Sequence, residues 1–255
     1  MSSSRLEFLG QLAGGLAHEI KNPLSTIKLT LQLLEEDFQK EESPFAARAK
    51  HKIEVLLREV NHLDDIVQEF LTFARGHDLK LTRTNLREMV VELFEFLGDD
   101  AHARGIRLHF DYEGKLDNLL LDATLIRQAL MNLVRNAFEA VVDKDGGEVI
   151  VRAKVKGDLL GIDVIDTGCG IAPSNYDRMF RPYFTTKKKG TGMGLPMVRR
   201  IVEEHGGQIT FESEEGQGTR FLILLPVDPE KRGSLKSMVP SEGKPDHPVG
   251  RGLQQ

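Results

Sequence analysis

Residues 4–38 read SRLEFLGQLAGGLAHEIKNPLSTIKLTLQLLEEDF, and the spacing of their apolar side chains decides the first half of the fold. Leu6, Leu9, Ala13, Leu16, Ile20, Leu24, Ile27, Leu31, Leu34 and Phe38 follow one another at intervals of three or four, which makes one stripe along an α-helix. Ser4 and Glu7 have the spacing of a capping box, so the helix starts where the stripe starts and runs for about 50 Å. Ser43-Pro44 opens a second helix, as an N-cap followed by proline at the first helical position, and Gly76 closes it. Its stripe is Ile53, Leu56, Val60, Leu63, Val67, Phe70 and Ala74. Two such helices form an antiparallel hairpin. A two-fold dimer would cover both seams by closing a four-helix bundle; packing on the rest of the same chain is the alternative.

Beyond Leu79 the period shortens. Helices are expected from Asn85 to Ala103, Asp122 to Val142 and Leu195 to His205. Strands are expected at Ile106–Phe110, Leu119–Leu121, Glu148–Val155, Leu159–Ile165, Ile209–Glu212 and Arg220–Pro226. The fold class is α+β: a helical hairpin, then one mixed sheet with helices on one face, a two-layer α/β sandwich. The domains expected are 1–78, 79–228 and a flexible tail over 229–255, where Pro, Gly, Lys and Ser dominate.

A chain of 255 residues with 40% hydrophobic and 29% charged residues is an ordinary globular sequence of one or two domains. Its net charge of -5 argues against a broad basic face for nucleic acid. The single cysteine, Cys169, excludes an internal disulfide and a cysteine-rich zinc site. No apolar run approaches a membrane span, so a cytoplasmic location is expected.

Four constellations carry chemistry. His18 lies ~200° around the helix from both Leu16 and Ile20, which turns it away from the seam. The adjacent Glu19 can bond one ring nitrogen and leave the other nucleophilic, while Pro23 removes a helix bond beside it. A solvated surface histidine is the bland alternative; zinc chemistry of the HExxH kind is excluded because Asn22 stands in place of the second histidine. Asn132 and Asn136 sit four apart at the edge of an apolar helix stripe, and their amide oxygens suit Mg²⁺, although they could equally bond neighbouring backbone. Asp166-Thr167-Gly168-Cys169-Gly170 directly follows a strand, where glycines admit a flat ligand and a carboxylate can accept from an exocyclic amine. Gly190-Thr191-Gly192-Met193-Gly194 precedes the helix at Leu195 and offers backbone N–H groups to phosphate, though it is neither a P-loop nor a dinucleotide fingerprint.

Taken in order, these segments resemble the sensor histidine kinases of two-component systems, from about Arg5 to Pro226, with forms similar to the nitrogen-regulation type. LAHEIKNPL resembles the H box, NLVRNAFEA the N box, DTGCG the G1 box, FRPYFTTK the F box and GTGMGL the G2 box, while EGQGT fits the last glycine motif. The resemblance implies a dimerisation and phosphotransfer domain followed by an ATP-binding domain of the Bergerat type. It implies that His18 receives the γ-phosphoryl group of ATP, with Glu19 orienting it, and that Asn22 orients water for dephosphorylation of a response regulator. It implies a Mg²⁺ site at Asn136 and Asn132, adenine recognition by Asp166 with Gly168, Gly170 and Thr219, and a lid of Gly190, Thr191, Gly192, Met193, Gly194 and Leu195 packed by Phe180 and Phe184. Met193 replaces the family's usual leucine and Glu139 stands where a lysine is common, which leaves phosphate contacts to Arg135 or Lys187. In related gyrase- and Hsp90-type ATPases a glutamate activates water at the position of Asn132; an amide has no such basicity. The partners implied are a second copy of the chain, a response regulator receiver domain and an upstream sensor protein.

Overall fold

A computed structural model describes residues 3–39, 43–74, 79–141, 146–187 and 190–227; at 3–19, 39, 62, 65, 66 and 68–74 it describes backbone only. The expected tail over 229–255 lies outside the described residues. Two compact units are drawn from Met1–Asp78 with Arg178–Met197, and from Leu79–Asp177 with Val198–Gln255.

In the first unit, α1 (Ser3–Gln39) and α2 (Pro44–Ala74) pack along one another. Ser43 caps α2 as expected, its hydroxyl accepting the Ala46 N–H at 3.1 Å. α1 runs unbroken through Pro23, and the hydroxyls of Thr26 and Thr30 each bond the carbonyl four residues back. Each apolar seam is split lengthwise. Leu24 and Leu31, with Phe38, pack against Ile53, Val60 and Leu57. The alternate members of the same stripes remain open: Ile27 is 48% exposed, Leu34 40%, Leu56 50% and Leu63 47%. Among the described residues no helix is long and apolar enough to cross a membrane.

The second unit contains β1 (Thr82–Thr84), α3 (Leu86–Ala103), β2 (Arg107–Glu113), β3 (Leu119–Leu121), α4 (Ala123–Val141), β4 (Glu148–Lys156), β5 (Leu159–Asp166), β6 (Gln208–Glu214) and β7 (Gly218–Pro226). A further helix, α5 (Gly194–Glu204), begins in the first unit and ends in the second. The five-stranded sheet has the order β2-β4-β5-β7-β6, with β2 and β4 parallel and the remaining pairs antiparallel. β3 does not join this sheet. It pairs with β1 in a two-stranded ladder that brings together the starts of α3 and α4. Asn85 caps α3 by accepting the Glu88 N–H, and Asp122 caps α4 by accepting from Thr124 and Leu125 at 3.1 Å each. The other carboxylate oxygen of Asp122 accepts the Lys80 N–H at 2.9 Å, tying the chain ahead of β1 to the α4 cap.

α3 and α4 pack against one face of the sheet. Val149, Val151, Leu160, Ile162, Val164, Ile223 and Leu225 line that face and meet Leu130, Leu133, Val134 and Phe138 of α4, all of them fully buried. At roughly 1.5–3 kcal/mol for each large side chain taken out of water, this layer is the main source of the unit's stability. The opposite face carries ion pairs: Arg107 with Glu148, Arg152 with Asp111, Lys154 with Glu113, and Arg220 with both Asp163 and Glu212. Hydrogen bonding to Asp163 raises the Arg220 pKa above its ordinary value. β2 extends beyond the expected Ile106–Phe110 because Asp111 and Glu113 pair across the open face with β4 and so break no packing rule.

Candidate functional site

The Asp166 loop is assembled from four elements. Asp166 ends β5 with its carboxylate buried, and its Oδ1 accepts the N–H of Gly168 at 2.8 Å and of Thr219 at 3.3 Å. Thr219 stands opposite Asp166 in the β5–β7 ladder, so the sheet register delivers that second donor. Gly168 is pressed onto the last turn of α4: a Cβ there would meet the Ala140 backbone at 2.6 Å. The next residue, Cys169, donates its N–H to the Ala140 carbonyl at 3.0 Å and accepts from the Gly216 N–H at 2.7 Å. Gly170 has φ +69°, and a Cβ on it would lie 2.1 Å from the Glu214 carbonyl oxygen. Side chains are therefore forbidden at both glycines by contact, and at Gly170 by conformation as well.

Asn132, Asn136 and Ala140 succeed one another at intervals of four along α4, so the two asparagines form a line that ends at the Gly168–Cys169 contact. Both amides are half-buried, while Arg135 and Glu139 are exposed. The structure thus brings together Asp166, Gly168, Gly170 and Thr219, with Asn136 one turn and Asn132 two turns back along α4 from the Ala140 contact. The Cys169 side chain between the two glycines is exposed, and its backbone is bonded on both sides.

The glycine-rich segment before α5 belongs to the other unit. Gly192 has φ +71°, and a Cβ on it would lie 2.6 Å from the Tyr183 backbone. Tyr183 itself has φ 64°, the one positive φ outside glycine among the described residues. Burial pushes the Tyr183 phenol pKa up. Gly190 approaches Thr185 and Lys187, whereas Met193 is fully buried and donates its N–H to the Thr191 hydroxyl at 3.3 Å. Gly194 and Leu195 form the first residues of α5, and Lys187 is exposed. Phe184 is half-buried beneath the Arg178 guanidinium, 4.7 Å from its ring centre, and Phe180 is half-buried as well.

On the helix pair, the backbones of His18 and Glu19 lie within α1, but their side chains lie outside the described residues; Asn22 is exposed. No motif in the sequence marks Ser213, Tyr176 or the partners of His205. His205, expected only as a helix C-terminal residue, is 2% exposed; one ring nitrogen pairs with the Ile201 carbonyl at 2.7 Å and the other accepts the Asp122 N–H at 3.1 Å.

A mixed sheet covered on one face by helices, with a buried Asp beside two constrained glycines at the end of an asparagine-bearing helix, defines a two-layer α/β fold with a candidate ligand site at that loop. Residues 121–229 match the family of histidine kinase-, DNA gyrase B- and HSP90-like ATPases, and residues 8–78 match the histidine kinase A phosphoacceptor domain. The catalytic domain of histidine kinase ThkA is 32% identical over 99% of that domain and 60% of this chain, with a TM-score of 0.55. ThkA in complex with the response regulator TrrA is 28% identical, covering 89% of this chain and 64% of that one, with a TM-score of 0.64. ShkA in complex with AMPPNP is 27% identical, covering 85% of this chain and 45% of that one, with a TM-score of 0.73. The sensor histidine kinase ZraS of Escherichia coli is 37% identical over 224 residues, which is 88% of this chain. The chain belongs to the histidine kinase family. It spans 47% of the length of ZraS, about half.

Proposed function

We propose that the chain is an ATP-dependent protein histidine kinase core that phosphorylates itself on His18 and passes the phosphoryl group to an aspartate of a response regulator. The observation that carries this reading is the buried Asp166, held by the Gly168 and Thr219 N–H groups at the end of the α4 line of Asn132 and Asn136. In this reading residues 1–78 form the dimerisation and phosphotransfer domain, 79–228 the ATP-binding domain and 229–255 a tail. The matched phosphoacceptor and ATPase families support both halves, and the absence of a membrane-spanning helix among the described residues is compatible with a cytoplasmic site of action.

Asp166 accepts the adenine amine, with Gly168, Gly170 and Thr219 shaping the base pocket. Gly190, Thr191, Gly192, Met193, Gly194 and Leu195 offer backbone to the phosphates, with Arg135 and Lys187 as cationic contacts. The half-buried amides of Asn132 and Asn136 fit Mg²⁺, which favours a few hard oxygen ligands completed by phosphate and water. When bound, Mg²⁺ supplies charge neutralisation at the phosphates. Glu19 orients the His18 imidazole and takes its proton as the other ring nitrogen attacks the γ-phosphorus and the bond to ADP breaks. Asn132 cannot act as a base toward water, so the γ-phosphoryl group is kept for His18.

A homodimer is supported by the half-open seams of α1 and α2, which a second hairpin would close. Leu29, 58% exposed, and Leu33, 53% exposed, lie within about 60° of His18 around the helix and suit a docking receiver domain. Upstream input would come from a sensor protein. Incubation with Mg²⁺ and γ-labelled ATP tests the reading: the protein should acquire alkali-stable, acid-labile label. Release of free phosphate with no labelled protein would instead indicate a hydrolysing ATPase. Asn22→Ala should retain labelling and lose phosphatase activity toward the phosphorylated regulator; unchanged dephosphorylation would remove Asn22 from that role.

A further inference from the structure

The hydroxyl of Ser213 on β6 joins three parts of the Asp166 frame. Its oxygen lies 2.9 Å from the Ile171 N–H, 3.0 Å from the Gly218 carbonyl and 3.0 Å from the Thr219 hydroxyl. A serine hydroxyl has one proton and two lone pairs. All three contacts are satisfied when Ser213 donates to Gly218 and accepts from both Ile171 and Thr219, which fills its bonding capacity. The Ser213 carbonyl in turn accepts the Tyr176 phenol at 2.6 Å. The Tyr176 ring stands edge-on to Phe211, with centroids 5.0 Å apart, and Phe211 rests against Phe221.

These bonds converge on the carboxylate. Thr219 faces Ser213 on one side of β7 and Asp166 on the other, and its N–H is one of the two that hold Asp166. Ile171 directly follows Gly170, whose backbone is pressed against Glu214, the residue after Ser213. A single hydroxyl therefore ties the loop after Asp166 to the residue whose amide aims Asp166. Without it, Thr219 loses an acceptor and the Ile171 N–H is left without this partner, so the loop and the carboxylate are free to shift together.

We propose that Ser213, steadied by Tyr176, is a positioning residue that sets the Asp166 carboxylate for discrimination of adenine. The inference rests on the adenine-reading role assigned above to Asp166. The test compares ATP with ITP, which carries a carbonyl in place of the exocyclic amine, by calorimetry and by labelling kinetics on the full chain. Ser213→Ala should raise Kd and KM for ATP about tenfold, leave kcat within about twofold and lower the ATP-over-ITP preference about tenfold, the scale of one lost well-placed hydrogen bond. Ser213→Thr, which restores a hydroxyl, should recover most of that preference. Tyr176→Phe should move it in the same direction by about threefold, and it provides the test should Ser213→Ala fail to fold. A preference abolished in Asp166→Asn but intact in folded Ser213→Ala and Tyr176→Phe overturns the role of Ser213 alone. Wild-type protein that binds both nucleotides equally overturns the role of Asp166, and that of Ser213 with it.

Discussion

The helix pair α1–α2 and the five-stranded sheet each pack one face and leave the other open, yet their open faces are opposite in kind. On the helices the open positions hold Ile27, Leu34, Leu56 and Leu63, the alternate members of stripes whose other half is buried. On the sheet they hold Arg107, Arg152, Lys154 and Arg220 with their carboxylate partners. The sheet is finished by its own chain, since α3 and α4 supply its cover and the charges opposite remain in water. The helix pair is not finished; exposed apolar surface in that regular pattern is paid for only when something covers it. In the proposed reading chemistry divides along the same line for two of its parts: the acceptor histidine falls on the unfinished element, and the adenine and Mg²⁺ residues Asp166, Asn132 and Asn136 fall on the finished one.

That division can be broken most directly at His18. His18→Gln should reduce labelling from ATP by more than about a thousandfold while nucleotide affinity stays within about twofold, because the α/β unit closes without that side chain. Persistent stoichiometric labelling would refute His18 as the acceptor. Ile27→Asp comes next. If two hairpins meet at this face, the dimer buries two added carboxylates, and dissociation measured by sedimentation should strengthen by a factor of about a hundred or more. Thermal unfolding of the α/β unit should not move. An unchanged dimer constant would mean that Ile27 lies outside the dimer seam. Gly168→Ala probes the other side of the comparison: its Cβ would enter the Ala140 backbone, and ATP affinity should fall about tenfold as the loop is displaced from α4. Gly98→Ala is the control, because nothing lies within 4 Å of a Cβ there and alanine favours α3 by up to about 1 kcal/mol. Equal nucleotide affinity in both variants would detach the Gly168 contact from the site.

Legibility followed the range of the interactions. The helix pair was readable because its stripes are local and periodic, but the split between Leu24 and Ile27, or Ile53 and Leu56, was not. Each pair belongs to a single apolar stripe, one on α1 and one on α2, and packing alone separates its members. Asp166, Gly168 and Gly170 form a short motif, and contact with Ala140 and Glu214 explains both glycines. Ser213 left no such mark, since a serine on a half-exposed strand has no periodic partner and its bond to Ile171 spans 42 residues. The bond between His205 and Asp122 spans 83 residues, which is why a buried, doubly bonded imidazole reads in sequence as an ordinary helix end. β1 escaped notice for a different reason. Three residues, Thr-Arg-Thr, offer no apolar alternation, and only pairing with β3 makes them a strand.

The smallest expected effect is also the one that sharpens the comparison furthest. If the open sheet face is a solvated surface, its ion pairs contribute little, because exposed pairs gain modest Coulomb energy and lose side-chain freedom. The Lys154 and Glu113 side chains that pair across β2 and β4 are 50% and 70% exposed. Lys154→Ala should therefore change the unfolding free energy by less than about 0.5 kcal/mol, and more salt should shrink even that difference. Self-association should be untouched, in contrast to Ile27→Asp. A loss of more than about 1 kcal/mol, or a change in the dimer constant, would mean that this face is packed against something and that both halves of the chain depend on a partner. A negligible effect leaves the apolar helix face as the place where assembly is decided, with the charged sheet face kept in water by design of its sequence.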